Sequence, residues 1–462
     1  MLTQILLLAL TAVYPLSDKL EIGAVARMRF RYVGAAADSV AGINGEVLKT
    51  GLDARARLDL SATFRLADPL QLGAAVRISN EESNQTLYAP DLVSGRLAAG
   101  WWWARFQKGI ADATAGAYDA SFTALTLMRW DPTDNPLGTG ASCCAVSVGG
   151  LRGTSLEELS EEYKLEGARL VLAPGPLNAT LLFALPSLPS EGESYTRYLG
   201  GARLRWDFLV PWLQSTASLG LNGLRAMDDK GSVNQAKAPP LRSDVASFDL
   251  NLPVLDQMAL VGELAYARRD DNLALADPEL SGSGVNAGIR VGDRENLDIQ
   301  ARYVRFDRNF MPLFRAQSIS RNRQGFRVSA SRRSLPIGNA TASFAGYVKY
   351  LREFEPMIGS EFTHGLYPGG FWVATASARI EPWYGANFGL DGEWRLNTRR
   401  DDPNTPAYDE TLDATEVIGS LLFVYRFTLQ NSVQFKYSLV SHRELTTSYL
   451  AHLPGLELNF KI

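Results

Sequence analysis

Cysteine and histidine are nearly missing from this chain. The 462 residues include two cysteines, Cys143 and Cys144, and they are adjacent. Neighbours in sequence cannot staple distant segments, so a disulfide scaffold is excluded; on a strand the pair would point to opposite faces as small apolar fillers. The three histidines are His364, His442 and His452. No HExxH, GxSxG, CxxCH or Cys-His zinc spacing accompanies them, which leaves the zinc protease, serine hydrolase and c-type haem classes without a motif. Ser441-His442 is the one adjacent nucleophile-base pair, and the pattern around it reads as a loop, as it does around the other histidines. No catalytic residue, metal site or cofactor is expected.

Long apolar runs are missing too. Nothing reaches the eighteen residues that a membrane helix needs, which excludes a helical bundle in a bilayer. The longest run, "ILLLALTAVYPL" at 5–16, has no Lys or Arg before it, yet its position predicts a secretory signal over residues 1–17. Charge of one sign is scarce: 46 Lys and Arg against 50 Asp and Glu give a net charge of -4, so no overall field attracts nucleic acid. With 46% apolar residues, however, the chain is not disordered. Acidic clusters at Asp131 and Asp134 and over "DDPNTPAYDETLD" (401–413) lack EF-hand spacing and read as solvated loops. "SLEE" at 155–158 has capping-box form and predicts a short helical turn.

What the chain has in abundance is alternation. In "LDARARLDLSATFR" (52–65), Asp53, Arg55, Arg57 and Asp59 share one parity, while Ala54, Ala56, Leu58, Leu60, Ala62 and Phe64 share the other. A helix would scatter these charges, whereas a strand separates them into an apolar and a wet face. "MRFRY", "RLRWDF" and "FGLDGEWRL" repeat the device. Slipping the 52–65 strand by one residue would turn four charges toward hydrocarbon at roughly 2 to 4 kcal/mol for each midplane Arg, so the register is firmly set.

Segments of this kind, 9 to 14 residues long, recur along nearly the whole chain. The breaks between them alternate in length. "ADP" (67–69), "APGP" (173–176), "LPIGN" (335–339) and "EPWYG" (381–385) are short; the connections near 34–51, 80–94, 227–242, 309–321, 397–414 and 441–452 are long and polar. Short periplasmic turns alternating with long extracellular loops are the mark of a transmembrane β-barrel. The prediction is an all-β, antiparallel up-and-down barrel over residues 18–462 with about 20 strands, within 18 to 22. Trp130, Trp206, Trp212, Trp372, Trp383 and Trp394 fall in turns or near segment ends, where amphipathic rings suit the headgroup zone. "GLELNFKI" alternates like the closing strand that the bacterial barrel assembly machinery reads, although it ends in Ile462 rather than an aromatic. Such a barrel is too wide for wall side chains to fill. The long, Gly-rich segment 119–162, which interrupts the rhythm, is the candidate constriction loop.

Parity assigns the pore lining. Arg27, Arg29, Arg31, Arg55, Arg57, Arg77, Arg203, Arg205, Arg290, Arg302, Arg327, Lys349, Arg395, Arg426 and Lys436 share the wet face with Glu21, Asp53, Asp59, Asp207, Asp249, Glu263, Asp298, Asp391 and Glu393. That face is net basic within a net acidic chain. Arg rings favour anions in a low-dielectric tube, while cross-strand pairing with wall carboxylates would mute the preference. At most a mild anion preference is expected.

"ARMRFRY", "ARARLDLSATFRL", "GAAVRISNEESNQTL" (73–87) and "LMRWDPTDNPLG" (127–138) resemble a bacterial outer-membrane porin family, related in style to the alginate-export and phosphate-selective barrels. The likeness covers about residues 21–185; "GWWWARF" and "SCCAV" depart from it. It implies a passive channel in the bacterial outer membrane for small hydrophilic solutes, in contact with lipid and the assembly machinery, as a possible homotrimer or with a periplasmic partner. Two alternatives stand beside it: an export channel for an acidic polysaccharide, and a sheath around a partner such as a cytochrome.

Overall fold

The computed structural model describes residues 19–34, 39–41, 47–49, 51–79, 100–118, 120–127, 165–187, 195–232, 239–275, 279–293, 296–313, 322–353, 370–398, 414–428, 431–443 and 448–461. Expectations for the signal 1–17, Asp131, Asp134, Cys143, Cys144, residues 155–158, His364 and 401–413 lie outside these residues, as does 128–162 of the candidate constriction.

The strands are β1 (Leu20–Val33), β2 (Ser39–Ala41), β3 (Val47–Lys49), β4 (Gly51–Ala67), β5 (Leu70–Ser79), β6 (Gly100–Lys108), β7 (Ala111–Tyr118), β8 (Leu165–Leu172), β9 (Leu177–Ser187), β10 (Arg197–Val210) and β11 (Ser215–Asp228). The second half holds β12 (Arg242–Leu255), β13 (Met258–Asp270), β14 (Leu280–Val291), β15 (Leu297–Phe306), β16 (Arg323–Ile337), β17 (Ala340–Glu353), β18 (Gly370–Trp383), β19 (Ala386–Thr398), β20 (Ala414–Arg426), β21 (Ser432–Arg443) and β22 (Ser448–Lys461). β2 and β3 pair only with each other, as a small hairpin within the first long connection. The other twenty form one antiparallel sheet in which each strand pairs with its neighbours in sequence. β1 pairs with both β4 and β22, from Val25↔Lys461 to Arg31↔Gly455, so the sheet closes into a barrel without edges.

Leu20 in β1 and Lys461 in β22 lie at the rim with the short turns, since Leu20 pairs with Phe64 beside the β4–β5 turn and Lys461 pairs with Val25. Those turns are as tight as two residues. At 338–339 between β16 and β17, Gly338 has φ 61°, a left-handed backbone that a side chain would strain.

One correction concerns the last connection. Residues 441–452 read as a long loop, yet β21 runs to Arg443 and β22 begins at Ser448. His442 and His452 are therefore strand residues. The misreading has a physical origin, because a wet wall is as polar as a loop: His442 is buried on the inward face beside Glu416, and His452, on the outward face, meets the Tyr437 hydroxyl at 2.6 Å through Nδ1.

The outward face is apolar and uncovered. Leu204, Leu221, Leu264, Val348, Leu390 and Leu421 are all exposed, as are Trp212 and Trp383 by the short turns. A continuous hull of this kind is stable against hydrocarbon, not water. Leu421, in mid-β20, is 58% exposed. Leu421→Arg should destabilise the barrel by about 2 to 4 kcal/mol, whereas a charge at its inward neighbour Ser420 should cost far less; denaturant unfolding from lipid vesicles measures the difference.

Candidate functional site

The inward face is identified by what lies against it. Ala120–Leu127, the described start of the candidate constriction, packs on residues from several strands of the same parity. Glu263 on β13 accepts a hydrogen bond from the Thr123 hydroxyl and one from the Leu125 backbone N–H at 3.3 Å. Thr126 and Ser247 on β12 share a hydroxyl contact of 2.7 Å. Arg203 on β10 donates to the Phe122 carbonyl. Leu125 is fully buried in an apolar cluster that includes Tyr118, Leu199, Val304, Phe306 and Phe371, drawn from widely separated strands. A surface touched by β7, β10, β15 and β18 at once can only be the interior.

Register puts Arg203, Arg205, Arg290, Arg302, Arg327, Lys349, Arg395, Arg426 and Lys436 on the parity of Glu263. Arg27 pairs with Asn459 and Arg57, Arg29 with Glu457 and Arg55, and Arg77 with Asp59. The side chains of Arg27, Arg29, Arg31, Arg55, Arg57 and Arg77 lie outside the described residues. Arg426 is exposed at the short-turn rim, and Lys436 is buried in β21.

The remaining cations divide into two groups. The first is paired along the wall: Arg203 with Asp249 at 3.3 Å, Arg205 with Asp207 at 2.8 Å, Arg290 with Asp298 at 2.8 Å, and Arg395 with Glu393 and with Glu416 at 2.7 Å. Here cross-strand and same-strand carboxylates neutralise the basic face locally. The second group is a row of directly opposed neighbours, Arg302 on β15, Arg327 on β16 and Lys349 on β17. Arg302 donates to Gln300 Oε1 at 3.0 Å, Arg327 lies 4.3 Å over the Tyr347 ring, and the Lys349 ammonium is 5.7 Å from the Phe371 ring centre. Like charges in directly opposed positions destabilise a sheet, so the row is not a cross-strand support of the wall.

Below the loop, toward the short turns, lies a cavity of about 560 Å³. Phe122 and Thr123 line it on the loop side, and Arg205, Asp249, Glu263, Arg290 and Arg302 line it from the wall. Mixed charge around a hydrated space can stand in for the water shell of a small polar solute.

Sequence reasoning missed a second inward fold, at residues 307–313. Phe310 is fully buried, its ring 5.7 Å from that of Phe306, and the Leu313 N–H donates to the Ser243 hydroxyl at 3.3 Å. The space is made by two inward glycines: a Cβ at Gly282 would meet the Phe310 backbone at 2.4 Å, and one at Gly284 would meet its ring at 2.7 Å. The run "SGSG" at 281–284 is the signal that could have located it.

Glycine also explains the Trp-rich segment. Trp102 faces outward and is 62% exposed, while Trp103 lies inward over Gly73, where a Cβ would fall 2.0 Å from the indole. Gly73→Val should displace the ring and destabilise the barrel by about 1 to 3 kcal/mol; altered tryptophan emission with a lower unfolding midpoint is the expected reading.

Ser441 and His442 do not form a catalytic pair. Successive strand residues face opposite sides, and His442 stacks on Tyr449 at 4.9 Å with its Nδ1 3.5 Å from Glu416.

No protein-family model matches the chain, and no curated protein matches it. Among solved structures, OpdQ of Pseudomonas aeruginosa is similar over 96% of this chain and 98% of its own, at 9% identity and a TM-score of 0.47. The outer membrane protein OprD from the same organism matches over 96% and 94%, at 9% identity and a TM-score of 0.47. A loop-deletion mutant of OmpT, an outer membrane protein of Vibrio cholerae, matches over 96% and 99%, at 10% identity and a TM-score of 0.36.

Proposed function

We propose that this chain is a bacterial outer-membrane porin through which small hydrophilic solutes diffuse, with a mild preference for anions. The closed, edge-free sheet and the apolar hull suit it to a bilayer, and the alternation of short turns with long connections gives the orientation, long loops outward. Ala120–Leu127, held on the wall by Glu263, narrows the bore. The row Arg302–Arg327–Lys349, whose first member lines the cavity, carries the anion preference.

Residues 1–17 serve for export across the inner membrane, and the alternating closing strand β22 serves as the handle for the assembly machinery. Membrane lipid and the passing solute are the partners. An acidic polysaccharide would need an unbroken basic track, and the local pairing of Arg203, Arg205, Arg290 and Arg395 interrupts it. Planar-bilayer recording across a salt gradient tests the proposal: an open pore with a reversal potential weakly toward anions is expected, whereas cation selectivity, or no conductance at all, would refute it.

A further inference from the structure

The cavity below the loop is balanced in charge. The guanidinium groups of Arg205, Arg290 and Arg302 line it together with the carboxyl groups of Asp249, Asp256 and Glu263. One cross-strand row runs through its wall from β10 to β14: Arg205 pairs with Gly220, Gly220 with Asp249, Asp249 with Glu263, and Glu263 with Asn286. Gly220 lets Asp249 lean over β11, since a Cβ there would collide with its carboxylate. That carboxylate is held by Arg203 at 3.3 Å and by the Asn222 amide at 2.8 Å. Arg205 and Arg290 are each held through Nε, at 2.8 Å from Asp207 and from Asp298. Their Nη groups make no hydrogen bond among the described residues.

Asn286, at the end of the row, is the least satisfied group. It lines the cavity at 3% exposure, and its Oδ1 has no hydrogen-bond partner among the described residues. Buried polar groups are nearly always partnered, so an amide left open beside a hydrated cavity is completed by what enters. An entering ion gains little, because Arg205, Arg290 and Asp249 already meet opposite charges. What remains is a fixed set of donors and acceptors. A hydroxyl both donates and accepts, so a ring bearing several of them can use guanidinium N–H groups, carboxylate oxygens and Asn286 together. Phe122 gives the cavity an apolar side for the C–H face of such a ring. The volume of about 560 Å³ falls within the roughly 300 to 1,000 Å³ of small-molecule sites.

We propose that this cavity is a binding subsite for a neutral polyhydroxylated solute, a mono- or disaccharide, held by Asn286, Asp249, Glu263 and the Nη groups of Arg205 and Arg290. It rests on the porin reading, in which the row through Arg327 and Lys349 acts on ions and the cavity on an uncharged passenger. Planar-bilayer recording of the full barrel with glucose, glucuronate and glucosamine compares neutral, anionic and cationic forms of one ring. Glucose should add interruptions to the ion current that saturate with concentration; polyethylene glycol of similar mass, poor in donors, should add none. Asn286→Leu should weaken the glucose effect about two- to tenfold, as for the loss of one hydrogen bond. Arg290→Lys, which keeps the charge but loses the fork, should weaken it too. Equal effects of glucose and polyethylene glycol, a glucuronate or glucosamine effect at least about tenfold stronger than that of glucose, or an unchanged glucose effect in both variants would overturn the proposal. Equilibrium dialysis of labelled glucose against the same barrel in detergent reads the subsite without current. A barrel that binds glucose but does not conduct refutes the porin reading alone, and one that conducts without binding glucose refutes only the subsite.

Discussion

Replacing Glu263 by leucine should raise single-channel conductance severalfold and add open-channel flicker. The carboxylate is buried in the wall and receives the Thr123 hydroxyl and the Leu125 N–H. Each such hydrogen bond contributes about 0.5 to 1.5 kcal/mol, rising to about 1.5 to 3 where the acceptor is charged. Against them stands the backbone entropy of holding a loop, about 1 to 2 kcal/mol per residue. Removing the anchor leaves the segment with the Thr126–Ser247 and Arg203–Phe122 contacts and the burial of Leu125. Glu263→Leu combined with Ser247→Ala should therefore enlarge the pore more than either change alone. Planar-bilayer recordings of the single and double variants decide this; a conductance equal to that of the unaltered protein would mean that Ala120–Leu127 does not limit the current.

Reversing charge in the cationic row should invert selectivity. An anion about 6 Å from one guanidinium or ammonium gains about 2 to 3 kcal/mol at an effective dielectric near 20 before salt screening. Arg327→Glu together with Lys349→Glu replaces two such attractions by repulsions, so the anion-to-cation permeability ratio should fall by at least about tenfold and the reversal potential should change sign. The opposed positions are kept, since the new carboxylates occupy the same register pair. Arg203→Gln is the contrasting change: its charge is matched by Asp249 at 3.3 Å, and its removal should move selectivity little or slightly toward cations. Equal shifts from both changes would place the selectivity elsewhere in the bore.

How much of this could be read from sequence follows from the solvent on either side of the wall. Lipid outside and water inside enforce a period of two, so Asp53, Arg55, Arg57 and Asp59 opposite Leu58, Leu60 and Phe64 announce a strand with two environments, and turn length announces the barrel. The twenty strands follow from that pattern. The wall's charge was legible as a parity, but its pairing was not. Nothing in the period tells that Arg203 meets Asp249 three-dimensionally while Arg302, Arg327 and Lys349 face one another. That information lies in the cross-strand stagger, which local sequence leaves open. Interior contacts were harder still. Glu263 is one carboxylate among many until the loop is laid against it, and the inward fold of 307–313 rests on glycines that free space rather than on residues that signal contact. Polarity misled at 441–452, where a wet wall and a loop have the same composition.

The central claim is that successive residues of each strand face lipid and water in turn, and a spin-label scan along β20 tests it most directly. With Cys143 and Cys144 replaced by serine, single cysteines at positions 417–422 are labelled and the protein is reconstituted in vesicles. Labels at Val417, Ile418, Gly419, Ser420, Leu421 and Leu422 positions should alternate, with 417, 419 and 421 accessible to oxygen dissolved in the bilayer and 418, 420 and 422 screened from it and on the wet side. Accessibility that varies smoothly along the strand, or labels at 417 and 421 that meet a water-soluble relaxant first, would contradict the barrel as a membrane channel.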